Sequence, residues 1–349
     1  MEQVSDALVS ELVQRKNYLE AQKVETVYFG GGTPSILKTA DIERIVDTIR
    51  TNYELDIEAE ITLEANPDDL TPGKLNSLKK AGINRLSIGI QSFAQEDLAF
   101  LSRSHTSEQV IQCISDAKQA GFHNLSIDLI YGIPTLTDEV WMTNLETAFS
   151  LGIPHISAYS LTIEEKTPLE VMIRKGKVKP VDEDRALSHY HILTRLMKQY
   201  GYEQYEISNF CLPGNYSRHN TAYWQGKSYL GVGPSAHSYN GISRQFNVAN
   251  LARYIGSAAS GQIESELELL SQVTMLNEYI MTSLRTIWGC DLAVVRQKFG
   301  FVNAEKLLEN AQAFIDKKQM VYQSDTLILT YAGRLFADGI ASELFGEEE

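Results

Sequence analysis

Short apolar runs alternate with amphipathic stretches along the first two thirds of the chain. The runs VETVYF, EITLE, RLSIGI, NLSIDLIY, HISAYSL and YEQYEIS read as strands. Helical periodicity lies between most of them, over residues 39–53, 72–81, 107–121 and 138–150. Thr71-Pro72 sets Pro in a first helical turn, and Asp138 is a good cap. Gly82, Gly121 and Gly152 each follow a helix, where a left-handed stop is cheap. This alternation predicts a parallel α/β sheet or barrel.

The strand faces refine that expectation. Leu86, Ile88 and Ile90 share one face, while Ser87, Gly89 and Gln91 share the other. Leu125, Ile127 and Leu129 oppose Ser126, Asp128 and Ile130, and Ile61 and Leu63 oppose Glu60, Thr62 and Glu64. Helices covering the apolar faces leave small and polar residues inside, which makes a poor core but a good cavity. An open sheet with one polar face is the alternative, and parallel sheets rarely tolerate it. A partial barrel is therefore expected over residues 1–245. The chain opens with a helix bearing Val4, Leu8 and Leu12 on one face, so it starts mid-repeat, as if a first strand were missing.

The pattern changes after about Asn250. Residues 246–264 read as a linker and 265–318 as helical throughout. MVYQSDTLILT reads as a hairpin turning at Ser324-Asp325, before a short last helix. The small, mainly helical C-terminal domain, 265–349, is thus expected to be winged-helix-like. Residues 291–349 hold six Lys and Arg against ten Asp and Glu, which removes the electrostatic footprint of DNA binding and leaves an accessory role. Low complexity is confined to Glu347–Glu349.

Composition adds exclusions. A formal charge of −14 argues against general affinity for nucleic acid or anionic lipid. No apolar run approaches the roughly 20 residues of a membrane span, and the charged N-terminus is not a signal peptide, so a cytoplasmic place is the default. The three cysteines, Cys113, Cys211 and Cys290, form no CxxC pair and read as buried free thiols. Homodimer formation stays open.

Ligands of β/α barrels sit where strands end. Here those ends are Gly30-Gly31-Gly32-Thr33, Glu64-Ala65-Asn66, Gln91-Ser92, Asp128 through Tyr131, and Tyr159-Ser160, each polar or glycine. In register they suggest one pocket of hydrogen-bond acceptors and bare backbone. The glycines lack the Lys of a P-loop and the third Gly of a dinucleotide fingerprint. They suit a ligand with an ammonium group and a carboxylate, such as an amino acid; a tight strand-to-helix turn accounts for them equally well. Glu64 could hold ribose hydroxyls and Arg103 a carboxylate. For Gln91 and Arg103 taken singly, a structural hydrogen bond or surface charge is the simpler reading.

YFGGGTPSIL, LEANPDDL, NRLSIGIQSF and IDLIYGIPTLT, taken in order, resemble successive strand ends of the radical S-adenosylmethionine proteins related to oxygen-independent coproporphyrinogen III oxidase. That resemblance implies a TIM-like radical SAM barrel. It assigns Gly31, Gly32 and Thr33 to the methionine part of S-adenosylmethionine, Glu64 and Gln91 to ribose or methionine, Arg103 to a carboxylate and Asp128 to another cofactor contact. The family also binds a [4Fe-4S] cluster through CxxxCxxC after its first strand. The chain has no such motif, and its three cysteines are not spaced to replace it. Both absences fall ahead of Met1 and point to truncation or a start codon placed downstream. As given, the chain is not expected to hold the cluster, and radical catalysis is not supported for it.

SRHNTAYWQG places His219, Asn220, Tyr223 and Trp224 within six residues. Imidazole is a common axial ligand of haem iron, and aromatic rings cover the macrocycle; a lone His is more often structural. HNxxYW is similar to the signature of the haem-chaperone branch of the same family, as is GVGPSAHSY with His237. The resemblance implies haem held by His219, as the iron ligand, with Tyr223, Trp224 and His237, and delivery to haem-accepting proteins. The alternative it leaves is coproporphyrinogen III oxidase itself, an oxidative decarboxylase of porphyrin biosynthesis.

Overall fold

The computed structural model describes residues 2–20 and 23–347. Helix α1 (Glu2–Gln14) precedes strand β1 (Val24–Phe29), as the pattern predicts. Then follow α2 (Thr39–Asn52), β2 (Leu55–Ala65), α3 (Pro72–Lys80), β3 (Arg85–Gln91), α4 (Gln95–Phe100), α5 (Ser107–Gln119), β4 (Asn124–Tyr131), α6 (Asp138–Ser150) and β5 (His155–Ser160). Helices α7 (Pro168–Arg174) and α8 (Glu183–Gln199) lead to β6 (Glu203–Glu206) and β7 (Asn209–Cys211). The seven strands form one sheet in the order β1-β2-β3-β4-β5-β7-β6. Pairing is parallel from β1 to β5 and antiparallel from β5 through β7 to β6. The sheet curls into a half-barrel.

Apolar side chains of the strands, among them Leu63, Leu86, Ile88, Ile127 and Ile156, pack outward on helix residues such as Ile42, Leu78, Ile114 and Leu145. The opposite, concave face is polar. Its lower part is filled rather than hollow: Glu60, Thr62, Arg85, Ser126 and His155 are all buried there. His155 bridges Ser126 Oγ at 2.7 Å and the Tyr205 hydroxyl at 2.7 Å. That part of the interior, expected to be hollow, is thus closed by side chains.

Helix α9 (Arg218–Trp224) lies against β1. Strands β8 (His237–Tyr239) and β9 (Ser243–Asn247), helix α10 (Leu251–Ala259) and strand β10 (Ser265–Leu269) follow. The stretch 246–264, read as a linker, carries α10, which packs on α1. β10 pairs with β9 in a second, three-stranded sheet.

The expectation of unbroken helix over 265–318 is corrected. SELEL is a strand, and a two-residue strand β11 (Cys290–Asp291) separates α11 (Gln272–Leu284) from α12 (Leu292–Phe299) and α13 (Phe301–Asp316). SELEL alternates Glu and Leu with period two, which fits a ladder although both residues favour helix. The predicted hairpin is present as β12 (Met320–Gln323) and β13 (Thr326–Leu329), with Ser324 and Asp325 both at positive φ. It joins β11 in a third sheet, and α14 (Tyr331–Arg334) and α15 (Ala337–Glu343) close a separate core around Leu284, Leu307 and Met320. Glu348 and Glu349 of the acidic tail lie outside the described residues.

Two smaller readings also meet the structure. Gly82, Gly121 and Gly152 take positive φ after their helices. The cap of α6 is Thr137, not Asp138: its hydroxyl accepts from Val140 N, and Asp138, one position inside, accepts from Ser188 Oγ. Among the described residues no helix is long and apolar enough to cross a membrane.

Candidate functional site

The glycine loop continues β1. A Cβ on Gly30 would lie 2.5 Å from Tyr28 Cε1 and 3.0 Å from Glu64 Oε1, so crowding demands glycine there. Gly31 and Gly32 are different. Their φ values of +76° and +143° favour glycine, yet nothing lies within 4 Å of where a Cβ would stand. The loop is bare and open, and a side chain on it would fill that opening.

The other strand ends supply the polar walls. Glu64 closes β2, and its Oε1 accepts from the Tyr28 hydroxyl at 2.6 Å. Gln91 ends β3 at a register shift and holds φ +68°, unusual for a residue with a Cβ. Its Nε2 and Arg103 Nη2 stand 3.0 Å and 3.6 Å from where Gly89 would carry a Cβ, so Gly89 leaves both room on the concave face. Arg103 Nη1 donates to Asn66 Oδ1 at 3.2 Å. Asp128, on β4, has its carboxyl pushed up to about 6 by burial and by the charge of Glu64, against a hydrogen bond from Ser157 and the charges of Arg85 and Arg103. Thr33 sits at the head of the turn leading to Ser35, whose hydroxyl is anchored on Asp69 Oδ2 at 2.6 Å.

The second motif arrives at the same wall. The His219 ring stacks on Tyr28, with centroids 4.7 Å apart and planes at 19°. His219 Nδ1 lies 3.1 Å from Thr26 Oγ1. With Nδ1 donating there, the lone pair falls on Nε2. Burial pulls the His219 pKa below its ordinary value, with Arg85 adding to that and Glu60 opposing it. The ring is therefore a neutral imidazole near pH 7, the form that ligates metals.

Helix α9 is held by its first amides. Glu60 accepts from Arg218 N at 3.2 Å and His219 N at 3.1 Å, and Ser217 Oγ accepts from Asn220 N at 3.3 Å. Behind Glu60 stands Arg85, whose Nε is 3.7 Å away. Tyr223 is half-exposed and meets Trp224 edge-on at 5.3 Å and Tyr229 at 5.7 Å. Trp224 lies under the Arg285 guanidinium at 5.3 Å. His237 stands on β8, exposed, with its ring on Phe246 at 5.5 Å. Tyr28, Thr26 and Glu60 are therefore contacts of the candidate residues that sequence reasoning did not name. The signal for the first two was present, because they share a face of β1 with Gly30.

The donor set fits an amino-acid nucleoside. Carboxylates at Glu64 and Asp128 suit hydroxyl or ammonium donors, Arg103 suits a carboxylate, and the open glycine backbone admits the amino-acid end. The cysteines do not fit an iron–sulfur cluster. They lie on α5, β7 and β11, all buried, with each thiol pushed up to about 12 by burial. Among the described residues no group of three His, Cys, Asp or Glu side chains is placed to hold a metal ion.

A half-barrel of parallel strands with this glycine loop defines the radical S-adenosylmethionine class, and residues 5–148 match the Radical SAM superfamily. The fold matches that of coproporphyrinogen III oxidase (HemN) from Escherichia coli with a TM-score of 0.83, covering 99% of this chain and 83% of that one. At 23% identity that likeness speaks for fold alone. The sequence is 33% identical over 341 residues to the heme chaperone HemW of Mycobacterium tuberculosis strain H37Rv, covering 97% of this chain and 85% of the relative. It is 31% identical over 345 residues to HemW of Bacillus subtilis, covering 98% and 91%. The chain belongs to the HemW family of radical SAM proteins.

Proposed function

We propose that the protein binds haem and delivers it to haem-requiring proteins in the cytoplasm, and that S-adenosylmethionine occupies the strand-end pocket. The observation that carries this reading is the identity of about one third with HemW proteins along nearly the whole chain. His219 would hold the haem iron through Nε2, since Thr26 engages the other ring nitrogen. Tyr223 and Trp224 supply aromatic cover one turn further along α9. His237 is a second contact from β8. Gly31, Gly32, Thr33, Glu64, Gln91, Arg103 and Asp128 hold the nucleoside cofactor. It supplies an adenosyl group to radical chemistry where a reducing cluster accompanies it. The cysteines present do not fit that cluster, and the likeness to coproporphyrinogen III oxidase, at 23% identity, speaks for fold alone.

Haem titration of the native chain, His219→Ala, His237→Ala and the double variant, followed by the Soret band, tests the assignment. A ligand field that changes with His219→Ala and leaves only weak binding in the double variant supports it. Four coincident spectra and affinities would remove it.

A further inference from the structure

Tyr28 belongs to two neighbourhoods at once. One face of its ring carries the haem histidine at 4.7 Å, and its hydroxyl donates to Glu64 at 2.6 Å. Glu64 is the carboxylate placed to receive hydroxyl donors of the nucleoside. Gly30 closes the arrangement from above, since any Cβ there would strike both Tyr28 and Glu64. Thr26, from the same strand face, meets the His219 ring at its Nδ1 edge. Residues far apart in sequence thus share one small contact set with a single side chain at its centre.

The geometry points to Tyr28 as a positioning residue that sets haem affinity according to whether the nucleoside pocket is filled. It rests on the haem reading above. A ribose hydroxyl donating to Glu64 Oε1, the oxygen that already accepts from Tyr28, competes with that bond. Tyr28 then loses the bond that fixes its ring, and the stacked His219 loses its support. A ligand shifts such an equilibrium only by its differential interaction with the two arrangements, and the coupling is reciprocal: haem must weaken the nucleoside by the same factor. A charge-assisted hydrogen bond lost in a partly buried site gives a coupling on the order of 5-fold.

The test uses S-adenosylmethionine itself. Haem is titrated into the native chain with and without saturating S-adenosylmethionine, and S-adenosylmethionine is titrated calorimetrically with and without haem. Each affinity should fall roughly 5-fold in the presence of the other ligand. In Tyr28→Phe the ring remains and the bond to Glu64 is gone, so the ratio of affinities should return to one whatever their absolute values. In Thr26→Val the ratio should persist, because the link to Glu64 is intact. Equal or tighter haem binding with S-adenosylmethionine, coupling that survives in Tyr28→Phe, or no binding of S-adenosylmethionine each overturns the proposal. Haem binding that ignores His219 sinks the chaperone assignment and this inference together. His219-dependent binding without the S-adenosylmethionine effect sinks this inference alone.

Discussion

Replacing Asp128 by Asn should stabilise the protein at neutral pH while harming its pocket. The carboxyl is raised from 3.8 to about 6, first by burial and then by Glu64. In this direction the folded state holds the proton more tightly than the unfolded chain. The contribution of this residue to stability is therefore fully present below about pH 4, is lost between about 4 and 6, and levels above that. A shift of about two units corresponds to about 3 kcal/mol of lost stability at pH 7 relative to pH well below 4 from this residue. Asn keeps the shape, removes the charge and escapes that loss. Urea unfolding of both proteins at pH 4.5 and pH 7.5 measures it. The Asn variant should be more stable by about 2 to 3 kcal/mol at pH 7.5, and the gap should shrink towards zero at the lower pH. Calorimetry at pH 7.5 should show S-adenosylmethionine binding weakened in the variant, since the charge retained at that cost is the one offered to the ligand. A gap independent of pH, or an Asn variant less stable at pH 7.5, would refute the reasoning.

Two further outcomes follow from local geometry. Gly31→Val should lower S-adenosylmethionine affinity at least about 10-fold by calorimetry, because a β-branched residue resists φ +76° and its side chain fills the open loop; unchanged affinity removes the loop from the pocket. Arg285→Met should cost about 3 kcal/mol in urea unfolding, because Arg285 pairs with the buried Glu206 at 3.1 Å and bridges it to Asp338 at 2.6 Å; a change under about 0.5 kcal/mol would mean that Glu206 is satisfied by Ser208 N and Asn209 Nδ2 alone.

Sequence periodicity located the elements that bury one face. β1, β4 and α6 run over the residues expected from it, because each places an apolar stripe against a neighbour. It failed where composition and period disagree. SELEL has helix-forming residues on a strand period, and Cys290–Asp291 is a strand only because Leu327 and Thr326 lie beside it. The gathering of the candidate residues at the strand ends was legible because a curled parallel sheet makes its strand ends converge. The contact between residue 28 and residue 219 was not legible. Tyr28 sits correctly on the inner face by alternation, but nothing local says which distant ring will cover it.

The same limit explains why α9 stays in place. It has seven residues, well below the roughly 12 to 15 at which an isolated helix persists, and it buries no side chain fully. Hydrophobic packing therefore does not fix it. Its first three amides are satisfied from outside the helix, two by Glu60 and one by Ser217, and its ring contacts are His219 stacked on Tyr28, Tyr223 against Tyr229 and Trp224 under Arg285. Glu60 is buried at 4% exposure, and a charge so placed is tolerated only with partners. Arg85 supplies the opposite charge at 3.7 Å but leaves its own Nε and Nη2 without a hydrogen bond. A buried pair this loosely satisfied is a poor source of stability, and a hydrophobic pair of the same volume would serve the core at least as well. What Glu60 does that a hydrophobic residue could not is receive two helix amides and so set the direction in which His219 points. The polar floor of the half-barrel is thus better understood as the mounting of the histidine than as part of the core.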